Sequence, residues 1–289
     1  MSIIQAIILA IVEGLTEFLP ISSTGHMIIV SSLMGIAKED FTKVFEVAVQ
    51  LGAIMAVVVL YWKKFFQFDK WEFYVKLMVG VLPVLLFGYL FNDLIDKMLG
   101  SPVVVACSLL FGGIVLVFID RIFKQPLNKP NDIFATEVTQ SELIEADDKL
   151  TFKKSLMIGL WQIISMIPGV SRSAASIIGG MHQKLTRNFA AEFSFFLAVP
   201  TMFAATGYTL FLKNWGTEEA KIRGYELLTS SSENMIALII GNVVAFIVAI
   251  IAIKTFISLL TKYGFKFFGY YRILAGLLVL ILIQLGIIS

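Results

Sequence analysis

Four ionisable residues interrupt or border strongly apolar stretches of the sequence: Glu13, Glu17, His26 and Arg172. Ionisable groups inside apolar segments are costly to bury, so we interpret these four as functional. Glu13 and Glu17 are four residues apart on one helix face, where two carboxylates repel each other unless a cation lies between them. A divalent metal ion, Arg172 or a proton shared by the pair could fill that role. The simpler alternative, a structural ion pair of Arg172 with one carboxylate, leaves the second carboxylate unexplained.

A turn that can bind an anion is predicted at 20-PISSTGH-26, termed the first tip. Pro20 ends one helix, and a hydroxyl side chain after it can cap the next helix. Free backbone N–H groups and the positive end of that helix attract anions, and Gly25 lets a ligand approach the backbone closely. Ser23 and His26 are three residues apart and can face the same ligand. The candidate phosphate-binding residues of this tip are Ser22, Thr24 and Gly25, with capping alone as the alternative for the two serines.

A second turn of the same kind is predicted at 168-PGVSRSAAS-176, termed the second tip. Arg172 presents a planar fork of donors that suits phosphate, and Ser171, Ser173 and Ser176 add hydroxyl groups. If the two tips meet, one contributes carboxylates, hydroxyls and an imidazole, and the other contributes a guanidinium and a second helix N-terminus. Such a set suits a metal-bound phosphate or diphosphate better than a neutral solute.

The composition is that of a polytopic membrane protein. The 289 residues are 58% hydrophobic and 15% charged, with a mean hydropathy of +0.86, whereas a soluble domain has about 25% charged residues. These values exclude a disordered chain, a collagen-like chain and an ordinary soluble enzyme. A net charge of +2 gives no basic surface for nucleic acid, and the single cysteine, Cys107, excludes an intrachain disulfide. Residues 1–12 lack the features of a cleaved signal peptide, so we expect them in the mature protein.

Six apolar windows are long enough to cross a bilayer, which takes about 20 residues. They are 44–62, 73–91, 102–120, 189–212, 235–260 and 273–289. Residues 1–35 and 152–182 instead contain short apolar arms on either side of the two tips. We therefore predict a re-entrant helical hairpin for each, because a broken helix at membrane depth must be buried in protein or line a cavity. A complete span over 3–19 is the alternative for the first hairpin.

The predicted fold class is an all-α polytopic membrane protein, with six transmembrane helices and two re-entrant hairpins in an inverted-topology repeat. Aligning Pro20 with Pro168 superposes the two tips and brings Glu46 close to Glu192. A hairpin followed by three spans makes an odd number of crossings, so the second half must be inverted relative to the first. The first repeat covers 1–123, a cytoplasmic linker covers 124–151, and the second repeat covers 152–289.

Lysines and arginines are distributed unequally between the two ends of the predicted spans. One side has six, namely Lys38, Lys43, Lys97, Lys213, Lys221 and Arg223. The other side has fifteen, namely Lys63, Lys64, Lys70, Lys76, Arg121, Lys124, Lys129, Lys149, Lys153, Lys154, Lys184, Arg187, Lys262, Lys266 and Arg272. Because basic loops face the cytoplasm, we expect both termini and the mouth of the first hairpin to lie outside.

The two tips also carry a family resemblance. The runs 13-EGLTEFLPISSTGHMIIV-30 and 167-IPGVSRSAASIIGGM-181 resemble the undecaprenyl-diphosphate phosphatase family, integral membrane enzymes that are also linked to bacitracin resistance. Supporting similarity lies in 45-FEVAVQLGAI-54, 190-AAEFSFFLAVP-200 and 251-IAIKTF-256, so the resemblance covers most of the chain. One small departure is Ala174, where the family often has glycine.

The resemblance implies a hydrolase of the bacterial cell membrane that cleaves undecaprenyl diphosphate to undecaprenyl phosphate and inorganic phosphate, recycling the lipid carrier for peptidoglycan synthesis. It implies an active site open to the outer face, with Glu13, Glu17, Ser23, His26 and Arg172 as catalytic residues. It also implies dependence on a divalent cation, Mg²⁺ or Ca²⁺, held by Glu13 and Glu17. The partners are then the polyprenyl diphosphate and membrane lipids.

Three questions stay open at the level of sequence. Either Ser23 or water could attack the phosphate. The oligomeric state could be a monomer or a homodimer. A transporter or flippase of a phosphorylated lipid or small anion is the alternative function, because inverted repeats with hairpins at the membrane midplane are a transporter architecture.

Overall fold

The computed structural model describes residues 1–67, 70–123, 150–217 and 220–288. These residues form a bundle of α-helices with one small antiparallel pair of strands, β1 (Asn214–Gly216) and β2 (Lys221–Arg223). Apart from residues 150 and 151, the predicted linker 124–151 lies outside the described residues. A mostly helical membrane fold is confirmed, since six helices are long and apolar enough to cross a membrane.

The helix bounds place every element of the bundle. In chain order the helices are α1 (Ile3–Thr16), α2 (Ser23–Leu33), α3 (Asp40–Ala48), α4 (Gln50–Leu60), α5 (Trp62–Phe65), α6 (Trp71–Leu90), α7 (Asn92–Leu99), α8 (Pro102–Phe123), α9 (Phe152–Ile163), α10 (Arg172–His182), α11 (Arg187–Gly207), α12 (Gly224–Thr229), α13 (Ser232–Tyr263) and α14 (Lys266–Gln284). A 3₁₀ turn, Ile164–Met166, follows α9, and a π-helical turn, Tyr208–Leu212, extends α11. The six long apolar segments are Asp40–Leu60, Trp71–Leu90, Pro102–Phe123, Arg187–Leu212, Ser232–Tyr263 and Lys266–Gln284. Each of them overlaps one predicted window.

Two pairs of short helices occupy the positions of the predicted hairpins. α1 has 14 residues and α9 has 12, which at 1.5 Å per residue gives about 21 and 18 Å, short of the roughly 30 Å hydrocarbon core. A capping box between Ser2 and Gln5 starts α1, and the chain turns after Glu17 so that α2 packs back on α1. The Pro168-Gly169 pair separates α9 from α10 in the same way, and α10 packs on α9. The helix of the first hairpin thus ends at Thr16, three residues short of the span over 3–19 that is the alternative.

The long helices enclose the two pairs in a matched arrangement. α1 packs along α13 and α9 packs along α6, while α8 and α14 pack against each other. Close backbone approach at these contacts requires glycine. At Gly14, an added Cβ would lie 2.7 Å from the Ala245 carbonyl oxygen, so any side chain would push α1 away from α13. One face of each short helix is thus held tightly against a long helix, while large apolar side chains such as Ile4 and Leu156 are exposed on another face.

A buried ion pair joins three helix ends at the side of the bundle away from both termini. Asp120 near the end of α8 accepts a hydrogen bond from Arg187 Nη2 at 2.7 Å and from the Phe265 backbone N–H at 2.8 Å. This carboxylate therefore links α8 to the starts of α11 and α14. The opposite side of the bundle carries the N-terminus, whose amine lies 3.9 Å from Glu39.

The last membrane helix begins earlier than the sequence indicates, which corrects one residue of the charge count. The predicted window starts at 273 and treats Arg272 as a cytoplasmic loop residue. In the structure α14 begins at Lys266, and Arg272 lies within it with a fully buried side chain. A guanidinium can lie there because backbone carbonyls accept its hydrogen bonds. Arg272 therefore gives no information on orientation.

Candidate active site

The two tips share one unusual backbone geometry. Ser22 and Ser171 have φ values of 71° and 74°, in the left-handed region that non-glycine residues rarely occupy. Each serine caps the following helix: Ser22 Oγ accepts from the Gly25 N–H and Ser171 Oγ from the Ala174 N–H, both at 3.3 Å. Left-handed backbone costs about 1–2 kcal/mol per residue and is typical of functional sites. The matching caps make Ser22 the equivalent of Ser171 when the two halves are aligned. This alignment differs by one residue from the alignment of Pro20 with Pro168.

Glu17, Ser23 and Arg172 form the centre of the site. Arg172 Nη2 donates to Glu17 Oε1 at 3.0 Å, which joins the second tip to the residue that ends α1. The Ser23 hydroxyl donates to the other Glu17 oxygen, Oε2. Arg172 Nη1 donates to the Ser194 carbonyl at 2.8 Å, so α11 fixes the other arm of the guanidinium. The structure therefore selects Glu17, rather than Glu13, as the ion-pair partner of Arg172.

Glu13 is the carboxylate that this ion pair leaves unexplained. Its side chain is fully buried and receives no hydrogen bond from an ordinary donor among the described residues; its hydrogen bond with the Glu17 carboxyl exists only if one of the two carries a proton. The carboxylate interacts electrostatically with Glu17, one helical turn away, and with Glu46 of α3. A buried carboxylate without a donor must bind a cation or carry a proton. Two carboxylates beside a hydroxyl group are hard oxygen donors that suit Mg²⁺ or Ca²⁺, which complete their coordination with water.

His26 lies in the first tip but contacts neither Ser23 nor a carboxylate. Its Nδ1 is 2.7 Å from the Ser22 carbonyl oxygen, and its Nε2 is 2.8 Å from the Tyr271 hydroxyl. Because a carbonyl only accepts hydrogen bonds, Nδ1 carries the proton and Nε2 presents its lone pair to Tyr271. The ring also stacks on Tyr271, with centroids 5.6 Å apart. That Ser23 and His26 face one ligand stays a prediction; among the described residues no hydrogen bond joins the two side chains.

The remaining predicted residues shape the two tips. Ser171 Oγ lies 3.5 Å from the Leu19 carbonyl oxygen and 3.4 Å from Ser173 Oγ, so it connects the two hairpins. Ser176 bonds to the Ser194 hydroxyl at 2.7 Å, which supports the contact of Arg172 with α11. Thr24 faces a large cavity. A Cβ added at Gly25 would lie 3.2 Å from Val105 Cγ1, so this glycine permits close approach of α8, and 3.7 Å from Gly169 Cα, an ordinary contact with the other tip.

The sequence matches a known family over nearly its whole length. Residues 6–278 fit the family model described as "Bacitracin resistance protein BacA". The chain belongs to this family. It is 56% identical to a protein of Flavobacterium johnsoniae named undecaprenyl-diphosphatase, over 98% of this chain and 96% of that one. It is 48% identical to a protein of Bdellovibrio bacteriovorus with the same name, over 99% and 98% of the two chains.

Two residues at the site of this BacA-family chain, Tyr271 and Arg272, were not predicted from the sequence as site residues. Arg272 donates to backbone carbonyls of both tips, and Tyr271 contacts His26. Both lie on α14, just outside the last predicted window. A signal was present, because Lys266–Gln284 is apolar enough to span and would have marked Arg272 as an intramembrane charge.

A cavity of about 1020 Å³ leads from the first tip toward the end of the bundle that carries the termini. Thr24, Glu46 and Thr201 line it, with Lys38, Lys43 and Lys213 also on its wall. Much of the wall is apolar, contributed by α2, α6 and the residues that follow α14. Lys213 forms an ion pair with Asp96 of α7 at 2.6 Å. The cavity thus combines apolar walls with three lysines and two carboxylates, Glu46 and Asp96, and Lys43 is paired with Asp40.

Proposed function

We propose that this chain is an integral membrane phosphatase that hydrolyses undecaprenyl diphosphate to undecaprenyl phosphate and inorganic phosphate. The observation that carries the proposal is the contact of Glu17 with both Arg172 and Ser23, at the point where the two tips meet. Relatives named undecaprenyl-diphosphatase support the substrate. The reaction would return the lipid carrier to cell-wall synthesis.

We place the chain in the inner membrane of a bacterium, with two re-entrant hairpins related by an inverted repeat. The short lengths of α1 and α9 and the matching caps at Ser22 and Ser171 support this topology. The cavity and both termini lie at the end of the bundle with few basic residues. By the distribution of lysine and arginine, that end faces outside, so the substrate would enter from the outer face.

Arg172 and the N-termini of α2 and α10 would bind the diphosphate. The guanidinium and the helix N–H groups are already fixed before substrate arrives, so they can stabilise negative charge in the transition state without rearrangement. Glu17 orients both Arg172 and the Ser23 hydroxyl, and it is the acceptor to which that hydroxyl already donates. His26 is the proposed proton donor or acceptor at a second position, through the Nε2 atom now held by Tyr271.

Glu13 and Glu17 would hold a divalent cation, Mg²⁺ or Ca²⁺, directly or through water. The cation, when bound, would neutralise charge on the phosphoryl oxygens. The buried Glu13 carboxylate, which lacks a donor in the described part of the chain, supports this assignment.

Release of inorganic phosphate from a long-chain prenyl diphosphate tests the function directly. We expect the purified full chain in detergent to release phosphate with Mg²⁺ or Ca²⁺ present and to stop when a chelator is added. Detergent micelles hold no gradient, so transport cannot produce this signal. Folded protein that releases no phosphate under any of these conditions would favour the transporter or flippase, which flux assays in liposomes would then test.

Replacing Ser23 by alanine distinguishes the two nucleophiles. If Ser23 attacks, kcat falls by about 10³-fold or more, because the covalent route is lost, and a phosphoserine can be trapped at position 23 in the wild type. If water attacks, Ser23→Ala keeps most of kcat and raises KM, because only a phosphate ligand is removed. Ser230→Ala is the matched control, because Ser230 is an exposed serine after α12 and does not line the cavity.

A further inference from the structure

Arg272 of α14 donates hydrogen bonds to backbone carbonyls of both tips. Nη1 donates to the Pro20 carbonyl at 3.1 Å and to the Val170 carbonyl at 3.0 Å, and Nη2 donates to the Gly169 carbonyl at 2.8 Å and to the Ser108 carbonyl at 3.0 Å. The side chain is fully buried, and among the described residues it forms no ion pair with a carboxylate. The guanidinium therefore bonds to four neutral acceptors.

The accepting peptide groups lead directly into the two left-handed serines. Val170 immediately precedes Ser171, and Pro20 lies two residues before Ser22. One planar guanidinium thus fixes the approach of the chain to both helix N-termini, and it fixes them relative to each other. Its charge is not cancelled by the neutral acceptors, so it adds positive potential on the side of the tips away from the ligand.

Tyr271 precedes Arg272 and contacts His26 of the first tip. Its hydroxyl bonds to His26 Nε2 at 2.8 Å, and its ring stacks on the imidazole. A hydroxyl group can donate to a neutral imidazole or accept from a protonated one, so Tyr271 can hold His26 in either state. Two consecutive residues of α14 therefore contact the two backbone turns and the imidazole.

We propose that Tyr271 and Arg272 are positioning residues of the phosphatase site: Arg272 sets the geometry of both anion-binding turns, and Tyr271 sets the orientation of His26. The inference rests on the proposed function, since it assigns residues that act on the reacting phosphate through other groups. Neither side chain is expected to contact substrate. Both belong to the last helix, so this helix would be a working part of the site as well as a membrane span.

Arg272→Lys tests the first half of the proposal. A lysine has one ammonium group and cannot reach the carbonyls that the guanidinium joins. We expect kcat for phosphate release to fall about 10²-fold, as small displacements of aligned groups do, while KM changes less than about threefold. Arg187→Lys is the matched control, because Arg187 is also a buried arginine but pairs with the Asp120 carboxylate near the starts of α11 and α14. It should lower the melting temperature and leave kcat of the folded protein unchanged.

Tyr271→Phe tests the second half and keeps the proposal falsifiable if Arg272→Lys does not fold. The variant retains the stacked ring and loses one hydrogen bond, so we expect kcat to fall about tenfold with an unchanged melting temperature. Tyr270→Phe is the control, since Tyr270 is an exposed neighbour on the same helix.

The outcomes separate the inference from the function on which it rests. Wild-type kcat in folded Arg272→Lys, or equal kcat in Tyr271→Phe and Tyr270→Phe, overturns the corresponding half of the inference and leaves the phosphatase in place. A wild-type protein that releases no phosphate overturns both. A fall in kcat that is accounted for by a smaller folded fraction assigns Arg272 a structural role only.

Discussion

Arg172→Lys is expected to lower kcat/KM for phosphate release by about 10³-fold, an effect of the size seen when an arginine that stabilises phosphoryl-transfer charge is removed. The guanidinium makes two contacts at once, with Glu17 through Nη2 and with the Ser194 carbonyl through Nη1. Its Nε has no hydrogen-bond partner in the described residues. A lysine places a single ammonium group near one of these positions and loses the fork that matches a phosphate.

Most of the loss should appear in kcat, because the transition state carries charge that the ground state lacks. Arg121→Lys is the matched control: Arg121 is an exposed arginine at the end of α8, remote from the tips, and its replacement should leave both constants unchanged. Wild-type kcat/KM in folded Arg172→Lys would show that a positive charge alone suffices and would remove the fork from the mechanism. Melting curves in detergent establish that each variant is folded.

The sequence alone identifies the charged residues that lie within apolar segments. Glu17 and Arg172 stand out because a charge in a membrane segment has few explanations, and the structure joins them. The six spans follow from the length of the apolar windows alone. The short arms around both tips likewise predict the paired short helices, since neither arm is long enough to cross.

The positions of Arg272 and His26 depend on contacts with residues that are distant in sequence, so the sequence could not predict them. Arg272 looks like a loop residue because it borders an apolar window, and only the four carbonyls contributed by three separate segments explain its burial. His26 has the spacing to join Ser23, but Tyr271, remote in sequence, binds its free nitrogen. The alignment of the two halves through their prolines is one residue from the alignment through the capping serines, because φ is not visible in residue type.

Glu17→Gln is expected to lower kcat by about 10²-fold or more. The substitution preserves size but replaces one accepting oxygen with a donating NH₂ group. Either Arg172 or the Ser23 hydroxyl then faces a donor instead of an acceptor. Removing one partner of a buried ion pair costs about 3–5 kcal/mol, because the other charge remains buried without compensation. Part of that cost should appear as a lower melting temperature, and the loss of kcat should persist in the folded fraction.

Glu72→Gln provides the control, since Glu72 is an exposed carboxylate of α6 that pairs with Lys76, and its loss should change neither kcat nor stability measurably. Wild-type activity in Glu17→Gln would contradict the assignment of Glu17 as the residue that orients the site.

Because Arg172 pairs with Glu17, either a proton or a divalent metal ion must neutralise Glu13. Glu13→Gln, measured in the same way, distinguishes the two. If Glu13 holds a proton, a glutamine replaces a neutral carboxyl of the same shape, and both kcat and its dependence on Mg²⁺ are retained. If Glu13 binds the metal, kcat falls and the Mg²⁺ concentration needed for half-maximal activity rises by about tenfold or more, because a carboxylate ligand is lost. We expect the second result, because Glu13 lies one helical turn from Glu17 and two such carboxylates repel each other unless a cation lies between them.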